Sequence, residues 1–278
     1  MTIHIDTHCH LNLGVFRDDS DSVVKRSLKE GVWMIIVGTD RKSSQIALSM
    51  ANKYENGVYA AAGLHPNNIN NEEDSGSIIS YQEDFSIGVY EKFSKFEKIV
   101  AIGEIGLDYF HIDKSKNINQ IKNQQKKILE AQLKLAREQN LPVILHVRHA
   151  HDEMIEVLEK FRKINKHLFK NNEPWGVIHC FSGDENLAWK YFNMDLIISF
   201  TGIITFSKQW DDFIRRLPND KFMIETDAPF LTPEPFRGKR NEPILVKYIA
   251  KKIGEIKHLS SERIADFSTR NARNLFKI

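Results

Sequence analysis

Eight short apolar runs, each followed by a longer amphipathic stretch or polar connection, constrain this chain more than any other feature. The runs are Ile3–Ile5, Val32–Val37, Val58–Ala62, Ile99–Ile102, Pro142–Leu145, Gly176–Ile178, Leu196–Phe200 and Phe222–Ile224. Most are rich in Val, Ile and aromatic residues and bounded by polar, Gly or Pro positions, the pattern of strands buried on both faces. The stretches between them predict helices over Ser22–Glu30, Ser43–Tyr54, Asn119–Gln139, His151–Arg162, Glu185–Phe192, Lys208–Arg216 and Glu242–Lys252. In the longest, Ile128, Leu129, Leu133 and Ala136 recur at three- and four-residue intervals and form one apolar face. A last helix begins near Ser260, where Ser-Ser-Glu-Arg reads as an N-cap with an acid in the first turn. Strands alternating with helices eight times predict a closed α/β barrel of the TIM type, (β/α)8, as a single domain over 1–278. The competitor is an open doubly wound sheet, but no Gly-x-Gly-x-x-Gly or Walker sequence follows the first strand.

Composition removes other classes. Apolar residues make up 41% of the 278 positions and charged residues 27%. That is too apolar for a disordered chain. With 14 Gly, 8 Pro and 2 Cys, collagen-like and disulfide-framework proteins are excluded. No apolar run is long enough to span a bilayer, and the N-terminus lacks a secretory pattern. Two distant cysteines then predict a reducing, cytoplasmic location and no membrane partner. A net charge of +2 offers no bulk attraction for nucleic acid, so phosphate contacts must come from a local patch.

Histidines and carboxylates gather at the C-terminal ends of the predicted strands, where barrel enzymes build their sites. Asp6-Thr7-His8-Cys9-His10 ends the first. On extended chain His8 and His10 share a side and Cys9 faces away. Alone, the pair is equally a pair of surface or capping histidines. Glu104, in Gly103-Glu104-Ile105-Gly106-Leu107-Asp108, is a carboxylate in an apolar strand end. Burial there demands a partner, either a metal or an arginine. His146 and His179 end the fifth and sixth strands and, taken singly, resemble core histidines. Asp227 lies just past the eighth. Together these six donors converge on one rim of a barrel. A mixed histidine and carboxylate set suits Zn²⁺, Mn²⁺, Fe or Ni, with Mg²⁺ less natural. Six donors exceed the need of one ion, which predicts two, with Glu104 as the bridge.

Three further features are weighed. His65, in Gly63-Leu64-His65-Pro66, ends the third strand at the same rim and could orient substrate or donate a proton. Arg237-Gly238-Lys239-Arg240 follows the eighth strand, where barrels often bind phosphate. It is otherwise a solvated basic loop. Cys9 and Cys180 read as packing residues, Phe181, Phe200 and Phe206 as core, and Lys114–Lys127 as a solvated helix face. Asn67–Ser77 reads as a surface loop.

Taken in order, these segments resemble the TatD family of metal-dependent deoxyribonucleases. The likeness runs from Ile5-Asp6-Thr7-His8-Cys9-His10-Leu11 through Leu145-His146-Val147-Arg148, His179-Cys180-Phe181-Ser182-Gly183 and Glu225-Thr226-Asp227-Ala228-Pro229 to Asn271-Ala272-Arg273-Asn274-Leu275-Phe276. It implies a barrel of the amidohydrolase-like superfamily. It implies one divalent ion on His8, His10, Glu104 and Asp227, and a second on Glu104, His146 and His179, with Mg²⁺, Mn²⁺ or Zn²⁺ as the metal. The implied activity is hydrolysis of DNA phosphodiesters from single-stranded or 3′ ends, by a barrel that can act as a monomer without a protein partner. In that scheme Asp227 orients the attacking water and takes its proton, while His65, Arg148, Arg237 and Lys239 hold phosphate. Two departures stand out: His149 follows Arg148 where the family commonly has an acid, and the loop over Asn67–Gln82 is long. The alternatives are a hydrolase of another bond, such as a D-aminoacyl-tRNA ester, and a non-catalytic binding module, which would show a degraded donor set.

Overall fold

The computed structural model describes residues 3–69, 85–170 and 173–278. Eight parallel strands pair in chain order: β1 (His4–Cys9), β2 (Val32–Val37), β3 (Val58–Ala62), β4 (Ile99–Asp108), β5 (Val143–Arg148), β6 (Gly176–Ile178), β7 (Leu196–Phe200) and β8 (Phe222–Ile224). The ring closes beyond β8. Asp227 N–H donates to the His8 carbonyl at 2.9 Å, and His10 N–H to that of Ala228 at 2.7 Å. The result is a TIM barrel. The predicted runs locate all eight strands, but β1, β4 and β5 continue further into the polar residues that follow them. Those extensions carry the site.

The helices are α1 (Ser20–Lys29), α2 (Arg41–Ala51), α3 (Ile87–Phe93), α4 (Ile118–Glu138), α5 (His151–Ile164), α6 (Glu185–Phe192), α7 (Asp211–Arg216), α8 (Val246–Lys257) and α9 (Ser261–Phe276). Local chemistry sets several starts. Asp40 caps α2 by accepting from Ser43 N–H at 2.6 Å, while the Ser43 hydroxyl accepts from Asp40 N–H at 2.9 Å, so two orphan donors are satisfied reciprocally. Ser260 caps α9 as expected. The predicted helix from Glu242 starts instead at Val246, after a 3-10 turn over Pro243–Leu245. Helix α3 was not expected; only its Tyr90 and Phe93 are buried, too few to register as a helical stripe. Most of the loop over Asn67–Gln82 lies outside the described residues.

Two apolar layers result. Ile5, Ile35, Val37, Ala61, Ala101, Ile144, Val177, Ile197 and Met223 point into the barrel. Ala272, Leu275 and Phe276 of α9 join them at the N-terminal mouth. There Thr269 and Asn271 donate to the Ile3 and Phe222 carbonyls at 2.9 and 2.8 Å. The alternate residues, such as Met34, Ile36, Ala60 and Ala62, pack outward under the helices. With one mouth plugged, the open site is at the other, C-terminal mouth.

Two strands break this alternation. In β1, Asp6 pairs with Met34 and Cys9 with Ile36, so three steps along β1 match two along β2. In β4, Ile102 pairs with Val143 and Ile105 with Leu145, again three steps against two. Each is a bulge, an extra residue that switches which face the following side chains occupy. Ile5 points inward, so an unbroken β1 would send His8 outward. The bulge turns His8 and His10 into the barrel and Cys9 into the outer layer. The bulge in β4 does the same for Glu104.

Candidate metal centre

Glu104 is the hub of the C-terminal mouth. Its Oε1 lies 2.8 Å from His179 Nε2, 2.9 Å from His146 Nδ1 and 3.4 Å from His65 Nε2. Its Oε2 lies 3.4 Å from His8 Nε2 and 3.5 Å from His10 Nε2. Asp227 Oδ1 faces the same pair, 3.7 Å from His8 and 3.5 Å from His10. The predicted donors therefore meet in space. They form three overlapping groups: His8, His10 and Asp227; His8, Glu104 and His179; His65, Glu104 and His146. His65 is as close to Glu104 as His8 is, and its Nδ1 accepts from Asn67 N–H at 3.1 Å, which leaves the proton of its neutral ring on Nε2, facing the cluster.

The donor chemistry fits divalent cations. Bonds of about 2.1 Å place neighbouring ligand atoms roughly 3.0–3.4 Å apart, close to the spacings here. His8 Nε2 and His10 Nε2 are 3.0 Å apart, and His146 Nδ1 and His179 Nε2 are 3.4 Å apart. Lone-pair atoms crowded this way need a shared cation or shared protons. Among the described residues neither Glu104 nor Asp227 pairs with Lys or Arg; their charged neighbours are all histidines. The structural ion pair that the sequence left open for Glu104 is therefore absent among them. Burial would raise the Glu104 pKa, but His179, His65 and His8 with the His146 hydrogen bond outweigh it and hold the carboxyl well below its usual range. Asp227 is likewise held low, against burial, by His10, His8 and His179. Both acids are thus ionised, the form that binds a cation.

Acids behind the donors orient them. Asp108 ends β4 and is fully buried. Its Oδ2 lies 3.1 Å from His146 Nε2 and 2.7 Å from His111 Nδ1, and accepts from Asn67 Nδ2 at 3.0 Å. With Nε2 held by Asp108, His146 presents Nδ1 to the cluster. Gln125 of α4 braces Asp108 through its backbone N–H and carbonyl, so that helix face is not wholly solvated as predicted. Glu225 stands 3.3 Å from His179 Nδ1 and accepts from Cys180 N–H and Ser199 Oγ, both at 2.6 Å. These orienting acids had a sequence signal: Asp108 lies four positions from Glu104 on β4, and Glu225 lies two positions before Asp227 just past β8.

Asp227 is positioned by backbone. It has φ +55°, a left-handed conformation that is uncommon for a non-glycine residue and that recurs at functional sites.

The cluster floors a cavity of about 470 Å³ that His65, Arg148, Cys180, Ser182, Ile203, Phe230 and Leu231 also line. Three expectations need correction. Cys180 lines this cavity, because its φ of +47° ends the strand alternation that would have turned it away. Phe206 is 42% exposed, unlike the buried Phe181 and Phe200. The basic loop splits. Arg240 turns away to pair with Asp19 at 2.6 Å and Glu242 at 3.0 Å. Arg237 donates to the Thr232 carbonyl and stacks on Phe206. Lys239 sits over the Phe236 ring, and neither Arg237 nor Lys239 lines the cavity.

A family profile of TatD related DNases matches residues 5–277. The chain belongs to the TatD family of metal-dependent hydrolases. A Bacillus subtilis TatD relative, the uncharacterized metal-dependent hydrolase YabD, is 39% identical over 98% of both chains. The Escherichia coli uncharacterized metal-dependent hydrolase YcfH is 31% identical over 99% of this chain and 96% of its own. The crystal structure of the E. coli TatD homologue YjjV superposes with a TM-score of 0.82 at 29% identity, covering 99% and 98% of the two chains. Among the described residues of this TatD protein, no helix is long and apolar enough to cross a membrane.

Proposed function

We propose that this TatD protein hydrolyses phosphodiester bonds in DNA, acting at single-stranded or 3′ ends with two divalent ions. The observation that carries the reading is the division of Glu104. One oxygen faces His146 and His179, and the other faces His8 and His10. A carboxylate shared this way suits a bridge between two ions. When bound, such ions supply Lewis-acid stabilisation of a phosphoryl group and make water a better nucleophile.

The chain's own groups do the rest. Asp227 Oδ1 borders the cavity beside His8 and His10 and is ionised, so it can orient a water and accept its proton. His65 is pushed below the usual histidine range by burial, and its neutral ring offers a hydrogen bond to a phosphate oxygen. Arg148, on the cavity wall, supplies a fixed positive charge. Arg237 and Lys239 stand further out, where they would meet phosphates beyond the scissile one. A mouth ringed by loops admits a strand end more readily than a continuous duplex.

Elemental analysis of protein purified without chelator, then a metal-dependence assay on end-labelled DNA beside D-aminoacyl-tRNA, tests the reading. Stepwise loss of nucleotides from DNA with about two ions per chain is the expected result. Deacylation of the tRNA ester with intact DNA would move the site to the other bond.

A further inference from the structure

The C-terminal mouth carries aromatic rings in an unusual state. Phe110 follows β4 and is 51% exposed, Phe206 follows β7 and is 42% exposed, and Phe230 follows β8 and is 49% exposed. Strands β4 and β8 are four places apart in a ring of eight. Phe110 therefore stands across the mouth from Phe230, with Phe206 on the neighbouring strand end. Phe230 itself lines the metal cavity. Leaving one large ring in water is ordinary, but three around one opening mark a contact surface.

The cations beside these rings narrow the partner. The Arg148 guanidinium lies 4.9 Å from the Phe110 ring centre, and that of Arg237 lies 3.9 Å from the Phe206 ring centre. Neither arginine has a carboxylate partner among the described ion pairs, whereas Arg26, Arg162, Arg215, Arg216 and Arg240 all do. Each site thus joins an exposed aromatic ring to a guanidinium without a carboxylate partner among the described residues. A nucleobase with its attached phosphate needs that combination, and stacking on aromatic rings beside cations is how single strands are held without regard to sequence. A duplex hides its base faces and cannot use it.

We propose that Phe110 with Arg148, and Phe206 with Arg237 and Phe230, are two base-stacking platforms that grip a single-stranded nucleic acid on either side of the metal cavity. The proposal rests on the nuclease reading for its choice of polymer, and it assigns the preference for unpaired bases to these rings.

The test is equilibrium binding, read by fluorescence anisotropy, of a short phosphorothioate single-stranded DNA to the protein as purified. Phe110→Ala, Phe206→Ala and Phe230→Ala are each expected to weaken binding by about five- to a hundredfold. Phe206→Leu, which keeps apolar bulk without the aromatic face, should weaken it too, and Phe206→Trp should restore it. Phe96→Ala and Trp189→Ala, exposed rings elsewhere on the surface, should bind as the parent does. An oligomer with abasic sites should lose the same factor on the parent. Equal affinity for single strand and duplex would overturn the platforms, as would parent-like binding by all three alanine variants or no binding by the parent. Cleavage of the unmodified strand is read separately. Binding without cleavage removes the nuclease and keeps the platforms, while cleavage with unaltered affinities in the variants does the reverse.

Discussion

Asp6 and Thr226 are bonded twice across the seam where the barrel closes. The Asp6 carboxylate accepts from the Thr226 backbone N–H at 2.8 Å and from its hydroxyl at 2.5 Å. It also accepts from His8 N–H at 3.3 Å, inside the β1 bulge. One buried acid therefore fixes both the segment that carries His8 and the segment that carries Asp227. Asp6→Ala leaves buried donors unpaired and is expected to lower stability by about 1–3 kcal/mol. The same variant should retain less metal. Urea unfolding and elemental analysis read the two effects, and an unchanged metal content would separate the seam from the site.

Removing the hub should be more severe. Glu104→Ala takes away the carboxylate between the four ligand histidines and is expected to abolish turnover and lower the bound metal. A Glu104→Ala protein with full activity and full metal content would refute the bridged site.

Asp108 tests orientation without touching the cavity floor. Asp108→Asn keeps shape but removes the negative charge behind His146. A loss of about 10- to 100-fold in metal affinity or activity is expected, the usual cost of removing an outer partner of a ligand histidine. Metal titration against a competing chelator measures it, with stability followed in parallel.

Gly106 tests packing beneath the site. It has φ +155°, and an added Cβ would come within 1.9 Å of the His146 carbonyl oxygen. Gly106→Ala must push β4 away from β5 where Gly106 pairs with His146. A destabilisation above about 2 kcal/mol is expected, and thermal unfolding checks it.

The Arg240 network sets a pH dependence away from the metal centre. Asp19 is held below its usual pKa chiefly by the Arg240 hydrogen bond. Glu242 is held low by Arg26 and Arg240 despite partial burial. A carboxyl depressed by folding adds stability that is complete above its unfolded pKa, about 4, and is lost as the pH falls through the lower folded value. The stability difference between the parent and Arg240→Ala is therefore expected to be full near about pH 6 and to shrink on acidification. Urea midpoints across that range decide it, and a gap that widens in acid would contradict the assignment.

Much of the barrel was legible because burial on both faces leaves a direct trace in residue type. Val32–Val37, Val58–Ala62 and Leu196–Phe200 are strands for that reason, with the predicted ends. The strand extensions were harder to see. Glu104, Asp108, His8 and His146 are polar, and polar residues within a strand look like its end unless a site explains them. Arg240 shows the opposite failure. Its loop reads in the sequence as either a phosphate contact or a solvated basic patch, but Arg240 pairs with neighbouring Glu242 and with Asp19, 221 positions away, and only the tertiary structure brings Asp19 to it.

The chain's own pattern determined the strand order, the mouth at which the site forms and the inward direction of His65, His146, His179 and Asp227. Counting by twos from Ala61, Ile144, Val177 and Met223, each already facing the interior, reaches each of those four residues. The same count from Ile5 and Ala101 would send His8, His10 and Glu104 outward, so the convergence expected from their place at the rim requires the alternation to break. Only the tertiary structure decided otherwise, by pairing three steps of β1 with two of β2 and three of β4 with two of β5. A bulge is a mismatch between neighbouring strands, so its position depends on how two distant segments pair and has no signature within either one.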